Sequence, residues 1–98
     1  MTYVFDIDGT LCQQFGADYE SAIPYPDRIK VVNKLYKEGH KIILHTARGW
    51  TTKINWKALT ERQLSEWNVM YHELVMGKPG ANLYIDDKGE NANVFFKE

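Results

Sequence analysis

The sequence has little cysteine, little net charge and no long apolar run. Cys12 is the one cysteine among 98 residues, which excludes an internal disulfide and favours a reducing, cytoplasmic compartment. The formal net charge is −1, so there is no general attraction to nucleic acid or to an anionic membrane. Nothing approaches the ~20 apolar residues of a membrane span, and the basic start of a secretory signal is missing. We therefore expect a soluble, intracellular protein.

The composition is that of a globular protein. Hydrophobic residues make up 44% of the chain and aromatic residues 13%, which is enough for a packed core. A chain of 98 residues supports one domain and leaves little room for a second. We expect a single domain over residues 1–98.

Short apolar runs alternate with helical patterns along the chain. Tyr3–Phe5 is predicted as a buried strand, a helix opens at Pro26 and stops near Gly39, and Lys41–His45 is the second strand. The remaining predictions are a polar connection over residues 12–25, a helix from about Thr52 to Trp67, and strands over Tyr71–Met76, Leu83–Ile85 and Val94–Phe96. This order predicts an α/β fold: a Rossmann-like, mainly parallel sheet with flanking helices.

Polar side chains follow four of the predicted strands at the point where each strand ends. These residues are Asp6, Asp8, Thr46, Lys78, Asp86 and Asp87. In open α/β sheets the ligand binds at the carboxyl ends of the strands. The sequence therefore predicts that these four distant segments meet in one pocket.

The residue types in this pocket suit the cleavage of a phosphate ester. Asp6 can attack phosphorus and form an aspartyl-phosphate, while Asp8 can protonate the leaving oxygen and then activate water. Thr46 can donate a hydrogen bond to the phosphate, and Lys78 can place a charge beside it. Lys78 alone cannot offset the acidic residues and a near-dianionic phosphate, so a hard divalent cation, Mg²⁺, is expected.

Four motifs in order resemble those of the haloacid dehalogenase-like superfamily of phosphatases. They are Phe5-Asp6-Ile7-Asp8-Gly9-Thr10-Leu11, then Ile43-Leu44-His45-Thr46, then Lys78, then Ile85-Asp86-Asp87. The resemblance implies that Asp6 is the nucleophile, that Asp8 is the general acid/base, and that Thr46 and Lys78 bind the phosphate. It further implies a magnesium ion held by the Asp6 carboxylate, the Asp8 backbone carbonyl and Asp86. Asp87 would be a ligand or a partner of Lys78.

The gaps between the motifs hold no more than a loop or one crossover helix, so the resemblance implies a catalytic domain without a cap. Thr46-Ala47-Arg48-Gly49, together with the later motifs, is similar to short phosphatases of capsule and surface-polysaccharide synthesis. That subgroup implies a phosphorylated sugar or a similar small ester as substrate. The candidate substrate-binding residues are Gly9, Thr10, Ala47, Arg48 and Trp50. Specificity would come from the loops at 12–25 and 48–56.

Several of these residues also have structural interpretations. Arg48 could reach the substrate or form a surface salt bridge, and His45 is expected to be packed and hydrogen-bonded. Trp56 and Trp67 fall in a helical pattern and are expected in the core. Cys12 is expected to be packed, because no histidine partner is evident nearby.

Three other functions share some features with phosphate-ester hydrolysis. A receiver module also phosphorylates an aspartate, but the order of its acidic pair, acceptor and lysine differs from the order here. A binding protein with a vestigial site would keep an apolar surface around Phe95-Phe96, covered by a second copy of the chain or by a neighbouring domain. A phosphatase for nucleotides or nucleic-acid ends is compatible with an uncapped site, although the chain lacks the positive charge that polynucleotides attract.

Overall fold

The computed structural model describes residues 1–16, 18–50, 54–83 and 85–97. In chain order its elements are β1 (Thr2–Phe5), β2 (Cys12–Phe15), β3 (Asp18–Pro24), α1 (Pro26–Lys37), β4 (Lys41–Thr46), α2 (Lys57–Glu66), β5 (Glu73–Met76) and α3 (Ala92–Phe96).

Within these ranges, three parallel strands form the main sheet in the order β1-β4-β5. The register pairs Phe5 with Leu44 on one side of β4 and Thr46 with Met76 on the other. All three strands therefore end at the same edge. The predicted α/β class with a parallel sheet is confirmed.

Alternation along β4 separates the core from the outer face of the sheet. Ile42, Leu44 and Thr46 are fully buried, whereas Ile43 and His45 are half-buried. Helix α1 packs against β4 and buries Ile29 and Val32. The core lies between these elements and fixes the end of β4 in place.

The local sequence sets the limits of α1. Pro26 stands in its first turn, where no backbone N–H is needed, and Asp27 complements the positive end of the helix. Lys34 and Lys37 lie in the last turn, where cations are favoured. Gly39 follows with φ +93°, a conformation that costs glycine little.

Within 12–25, predicted as a polar connection, strands β2 and β3 form an antiparallel hairpin. Gly16 turns the chain at φ +59°. Most hairpin side chains are exposed, so the sequence has no apolar alternation there by which two strands could be recognised.

The two strands predicted nearest the C-terminus are wrong for the residues that are described. Leu83 and Ile85 are 72% and 87% exposed and belong to no strand, while Tyr84 lies outside the described residues. Val94–Phe96 belongs to helix α3 instead, because the Asn91 side chain accepts a hydrogen bond from Asn93 N–H and caps the helix.

The Phe95-Phe96 pair is packed and does not form the expected apolar surface. The Phe96 ring lies 5.8 Å from that of Phe5, and Phe95 lies 6.0 Å from Tyr3. These contacts attach α3 to the side chains of β1.

Two other elements differ from their predicted bounds. Helix α2 begins at Lys57; residues 52 and 53 of its predicted span lie outside the described part. Strand β5 begins at Glu73. Trp56 and Trp67 are half-buried, and Trp67 packs on the core as predicted. None of the helices in the described ranges is long and apolar enough to cross a membrane.

Candidate active site

A tight turn follows β1 and presents Asp6 at the end of the strand. The Ile7 carbonyl accepts hydrogen bonds from the N–H groups of Thr10, Leu11 and Cys12. Ile7 and Leu11 are fully buried, so the turn is anchored in the core. Gly9 has φ +82°, which a residue with a side chain rarely adopts. The backbone thus holds Asp6 and Asp8 on either side of the buried residue Ile7.

Asp6 is a half-buried carboxylate in a mixed electrostatic environment. Burial raises the pKa of Asp6, and the neighbouring Lys78 charge lowers it. The pKa of His45 is lowered by burial and by Lys78, and Asp6 raises it. His45 is therefore largely neutral near pH 7. Asp6, Lys78 and His45 are brought close enough to interact, and the sequence had indicated only a packing role for His45.

Thr46 and Lys78 are joined at the ends of adjacent strands. Lys78 N–H donates to the Thr46 carbonyl at 2.9 Å, which continues the pairing of β4 and β5 beyond the strands. The Thr46 side chain is fully buried, and its Oγ1 accepts a hydrogen bond from Arg48 N–H at 3.2 Å. The structure therefore places both residues at the predicted edge. Their predicted contacts with phosphate stay predictions.

The carboxylate of Asp8 is bound by Arg48. Arg48 Nε donates to Asp8 Oδ2 at 2.9 Å and Nη2 donates to Oδ1 at 2.8 Å. The Arg48 side chain is 0% exposed and that of Asp8 is 12% exposed. Arg48, predicted as a substrate contact or a surface salt bridge, is thus in a buried, two-pronged ion pair. The surface salt bridge is excluded by this burial.

Three residues that the sequence did not single out complete the surroundings of Arg48. Its Nη1 donates to Thr60 Oγ1 at 3.1 Å and to Gln63 Oε1 at 2.6 Å. Its guanidinium carbon lies 4.8 Å from the centre of the Tyr19 ring, within the range of a cation–π contact. Thr60 and Gln63 are polar residues three apart on α2, a spacing that places both on one face.

The remaining predicted substrate contacts lie around the same edge. Gly9 is exposed, and the carbonyl of Thr10 accepts a hydrogen bond from Arg28 Nη1 at 3.1 Å. The Ala47 carbonyl accepts one from Trp50 N–H at 2.9 Å. The Trp50 side chain is exposed. These positions leave their predicted binding roles untested.

A cavity of about 290 Å³ opens between the loop after β4 and the end of β5. Its walls include Arg48, Gly49, Ile54, Trp56, Met76 and Gly77. A side chain at Gly49 would put its Cβ only 2.6 Å from the Ile54 carbonyl oxygen, so glycine is required for this close approach. The cavity shares Arg48 with the Asp8 ion pair.

The predicted magnesium ligands are two carboxylates and one backbone carbonyl, with Asp87 as a ligand or a partner of Lys78. Across the described ranges, no three Asp, Glu, His or Cys side chains gather in one group. Asp86 is exposed, and its carboxylate accepts hydrogen bonds from the N–H groups of Lys88 and Gly89. Asp8 is engaged by Arg48, and Asp87 is exposed in the same turn as Asp86. Because the predicted set uses the backbone carbonyl of Asp8 together with the side chains of Asp6 and Asp86, the grouping of these residues around an ion stays a prediction.

The family of the chain follows from its sequence. A family model described as haloacid dehalogenase-like hydrolase matches residues 3–72, which is more than half of the chain. The chain therefore belongs to the haloacid dehalogenase-like hydrolase family, as its motifs predicted, and it is a hydrolase.

Solved structures show the same fold. The crystal structure of a protein from Vibrio cholerae matches with a TM-score of 0.89 and 28% identity, over 99% of this chain and 88% of that one. A chain in the structure of the Pnkp1/Rnl/Hen1 complex matches with a TM-score of 0.63 and 26% identity, over 98% of this chain and 32% of that one.

A third solved structure supports the fold alone. The D,D-heptose 1.7-bisphosphate phosphatase from B. bronchiseptica, complexed with magnesium and phosphate, has a TM-score of 0.61 and 17% identity, over 83% of this chain and 51% of that one. A comparison with curated proteins gave no match.

Proposed function

We propose that this hydrolase cleaves phosphate monoesters through an aspartyl-phosphate on Asp6. The observation that supports it is the placement of Asp6 at the end of β1, half-buried and in electrostatic contact with Lys78. A carboxylate near a cation is suited to attack phosphorus while the cation offsets charge on the phosphate. The backbone of Lys78 is hydrogen-bonded to Thr46.

The proposed reaction has two displacements. An Asp6 oxygen attacks phosphorus, the ester P–O bond breaks, and the leaving oxygen takes a proton from the Asp8 carboxyl group. Water then attacks the aspartyl-phosphate while Asp8 accepts its proton. The bond between phosphorus and Asp6 breaks, which releases inorganic phosphate and restores the Asp6 carboxylate.

Turnover of p-nitrophenyl phosphate tests this function. We expect phosphate release by the wild-type protein and a loss of roughly 1,000-fold or more in Asp6→Asn, because an amide is a poor nucleophile. Asp27→Asn is the matched control, since Asp27 is an exposed acid in the first turn of α1. Equal turnover by wild type and Asp6→Asn would contradict the proposal.

The requirement for magnesium stays a prediction that follows from family membership and from the charge of a phosphate ester. No step above is assigned to an ion; the residues that would hold it are Asp6, the Asp8 backbone carbonyl and Asp86. We expect EDTA to abolish turnover and added Mg²⁺ to restore it. Asp86→Ala separates two cases: it weakens the response to Mg²⁺ if Asp86 reaches the ion, and leaves it unchanged if the ion is held elsewhere.

For the substrate we propose a small phosphorylated sugar or a similar ester, as in surface-polysaccharide synthesis. A second candidate is a phosphate at a nucleic-acid end, because an uncapped site leaves room for a large substrate and the fold is shared with a chain of the Pnkp1/Rnl/Hen1 complex, an RNA repair complex. Phosphate release from hexose phosphates and from an oligonucleotide with a terminal phosphate would rank the two. The candidate with the higher kcat/KM is retained.

A further inference from the structure

The Arg48 guanidinium is buried, and its hydrogen bonds go to side chains around the site. Asp8 accepts from two of its nitrogens, and Thr60 and Gln63 accept from the third. A guanidinium removed from water needs an anionic partner and satisfied N–H groups, since an unpaired buried charge is costly. Asp8 supplies the charge, and α2 supplies the remaining acceptors.

The orientation of Arg48 is itself fixed from two sides. Gln63, which accepts from Arg48, donates through Nε2 to the Tyr19 carbonyl at 2.6 Å. The Tyr19 ring lies against the guanidinium, and the Trp56 ring contacts Tyr19 edge-on at 5.1 Å between centres. Strand β3 and helix α2 therefore hold the guanidinium plane between them.

The geometry points to Arg48 as a positioning residue for Asp8 in the proposed reaction. Two parallel hydrogen bonds from a planar guanidinium fix the plane of the carboxylate as well as its position. The Asp8 side chain keeps 12% of its surface exposed, so it is not sealed from solvent. This inference rests on the proposed function, in which Asp8 is the acid and base.

The test compares Arg48→Lys with wild type on two esters, p-nitrophenyl phosphate and an alkyl phosphate. Lysine keeps the charge and loses the planar, two-pronged contact. We expect kcat for the alkyl ester to fall roughly 10- to 100-fold with KM little changed, because general acid–base assistance of this order depends on orientation. The loss for p-nitrophenyl phosphate is expected to be smaller, because its leaving group needs no proton.

Dependence on the leaving group separates positioning from simple loss of structure. Asn33→Ala is the control for stability: Asn33 bonds Asn68 and Met70 and is not among the residues placed in the site. We expect it to lower the unfolding midpoint and leave the ratio of the two kcat values unchanged. A folded Arg48→Lys with wild-type kcat on both esters, or with equal losses on both, overturns the inference.

Gln63→Met provides a second test if Arg48→Lys does not fold. It removes one of the two acceptors for Arg48 Nη1 and the donor to the Tyr19 carbonyl, while the ion pair with Asp8 keeps its partners. We expect a selective loss on the alkyl ester, smaller than that of Arg48→Lys; no selectivity overturns the inference. Wild-type protein without turnover would instead reject the proposed function, so the two failures are distinguishable.

Discussion

At the scale of single residues, the burial that shapes the site also destabilises the ionised form of Asp6. Its pKa is raised by desolvation despite the nearby Lys78 charge. Between the unfolded and folded pKa values the native state binds more protons than the unfolded state, so stability falls as pH rises through that window. Above the folded pKa the full cost is present, and below the unfolded pKa it is absent.

We therefore expect Asp6→Asn to be more stable than wild type at pH 7, because the amide has no charge to desolvate. The gain should vanish at about pH 3, below the unfolded pKa of about 3.9, where Asp6 is mostly protonated in both states. Urea unfolding at the two pH values measures it. A gain that persists at the lower pH would show that the stabilisation has another source.

Cys12 offers a second prediction at this scale. It is fully buried, and burial together with the Asp8 charge raises the pKa of its thiol to about 12. Because the thiolate is the reactive form, we expect iodoacetamide at pH 8 to leave native Cys12 unmodified and to label it in urea. Mass spectrometry of both samples checks this; rapid labelling of the native protein would contradict the burial.

The residues that could be predicted from sequence are those whose position follows from a strand end. Asp6, Thr46 and Lys78 were placed at the sheet edge because each follows an apolar run. Tyr19 and Gln63 were not, since their importance comes from contacts with Arg48 across the fold. No local pattern records such a contact.

At the scale of elements, the short helix α3 is attached to the rest of the fold by one of its sides. Phe96 is 8% exposed and packs near Phe5, whereas Val94 is 59% exposed. We expect Phe96→Ala to lower the free energy of unfolding by about 3 kcal/mol. Val94→Ala is the matched control and should change it by less than about 0.5 kcal/mol. Urea unfolding measures both, and similar small effects would mean that α3 does not dock as described.

The helix α1 and strand β4 were predictable because their apolar periodicity agrees with their burial. The hairpin and α3 were not, for opposite reasons. Residues 12–25 have few buried side chains to create a pattern, and Val94-Phe95-Phe96 is a β-forming run whose helix depends on the Asn91 cap and on docking to β1. Tertiary contacts overrode local propensity there.

At the scale of the whole molecule, the edge of the sheet is the part expected to open first. Strand β5 is short, pairs only with β4 among the described strands, and has partly exposed side chains. Local opening at such places costs less than global unfolding. We expect phosphatase activity to be lost at a lower urea concentration than far-UV circular dichroism; coincident midpoints would show that β5 opens only with the rest.

The hydrogen bond from Lys78 N–H to the Thr46 carbonyl connects the opening of β5 with activity. It is the last hydrogen bond between the β4 and β5 segments. When these strands separate, Lys78 moves away from Asp6 while the buried apolar core stays packed. A warmed or mildly denatured sample would then lose activity while most of the molecule stays folded, and it would regain activity on cooling. Residual turnover would report only on the pairing of β4 with β5. Heat inactivation would therefore be a poor measure of the global stability of the molecule.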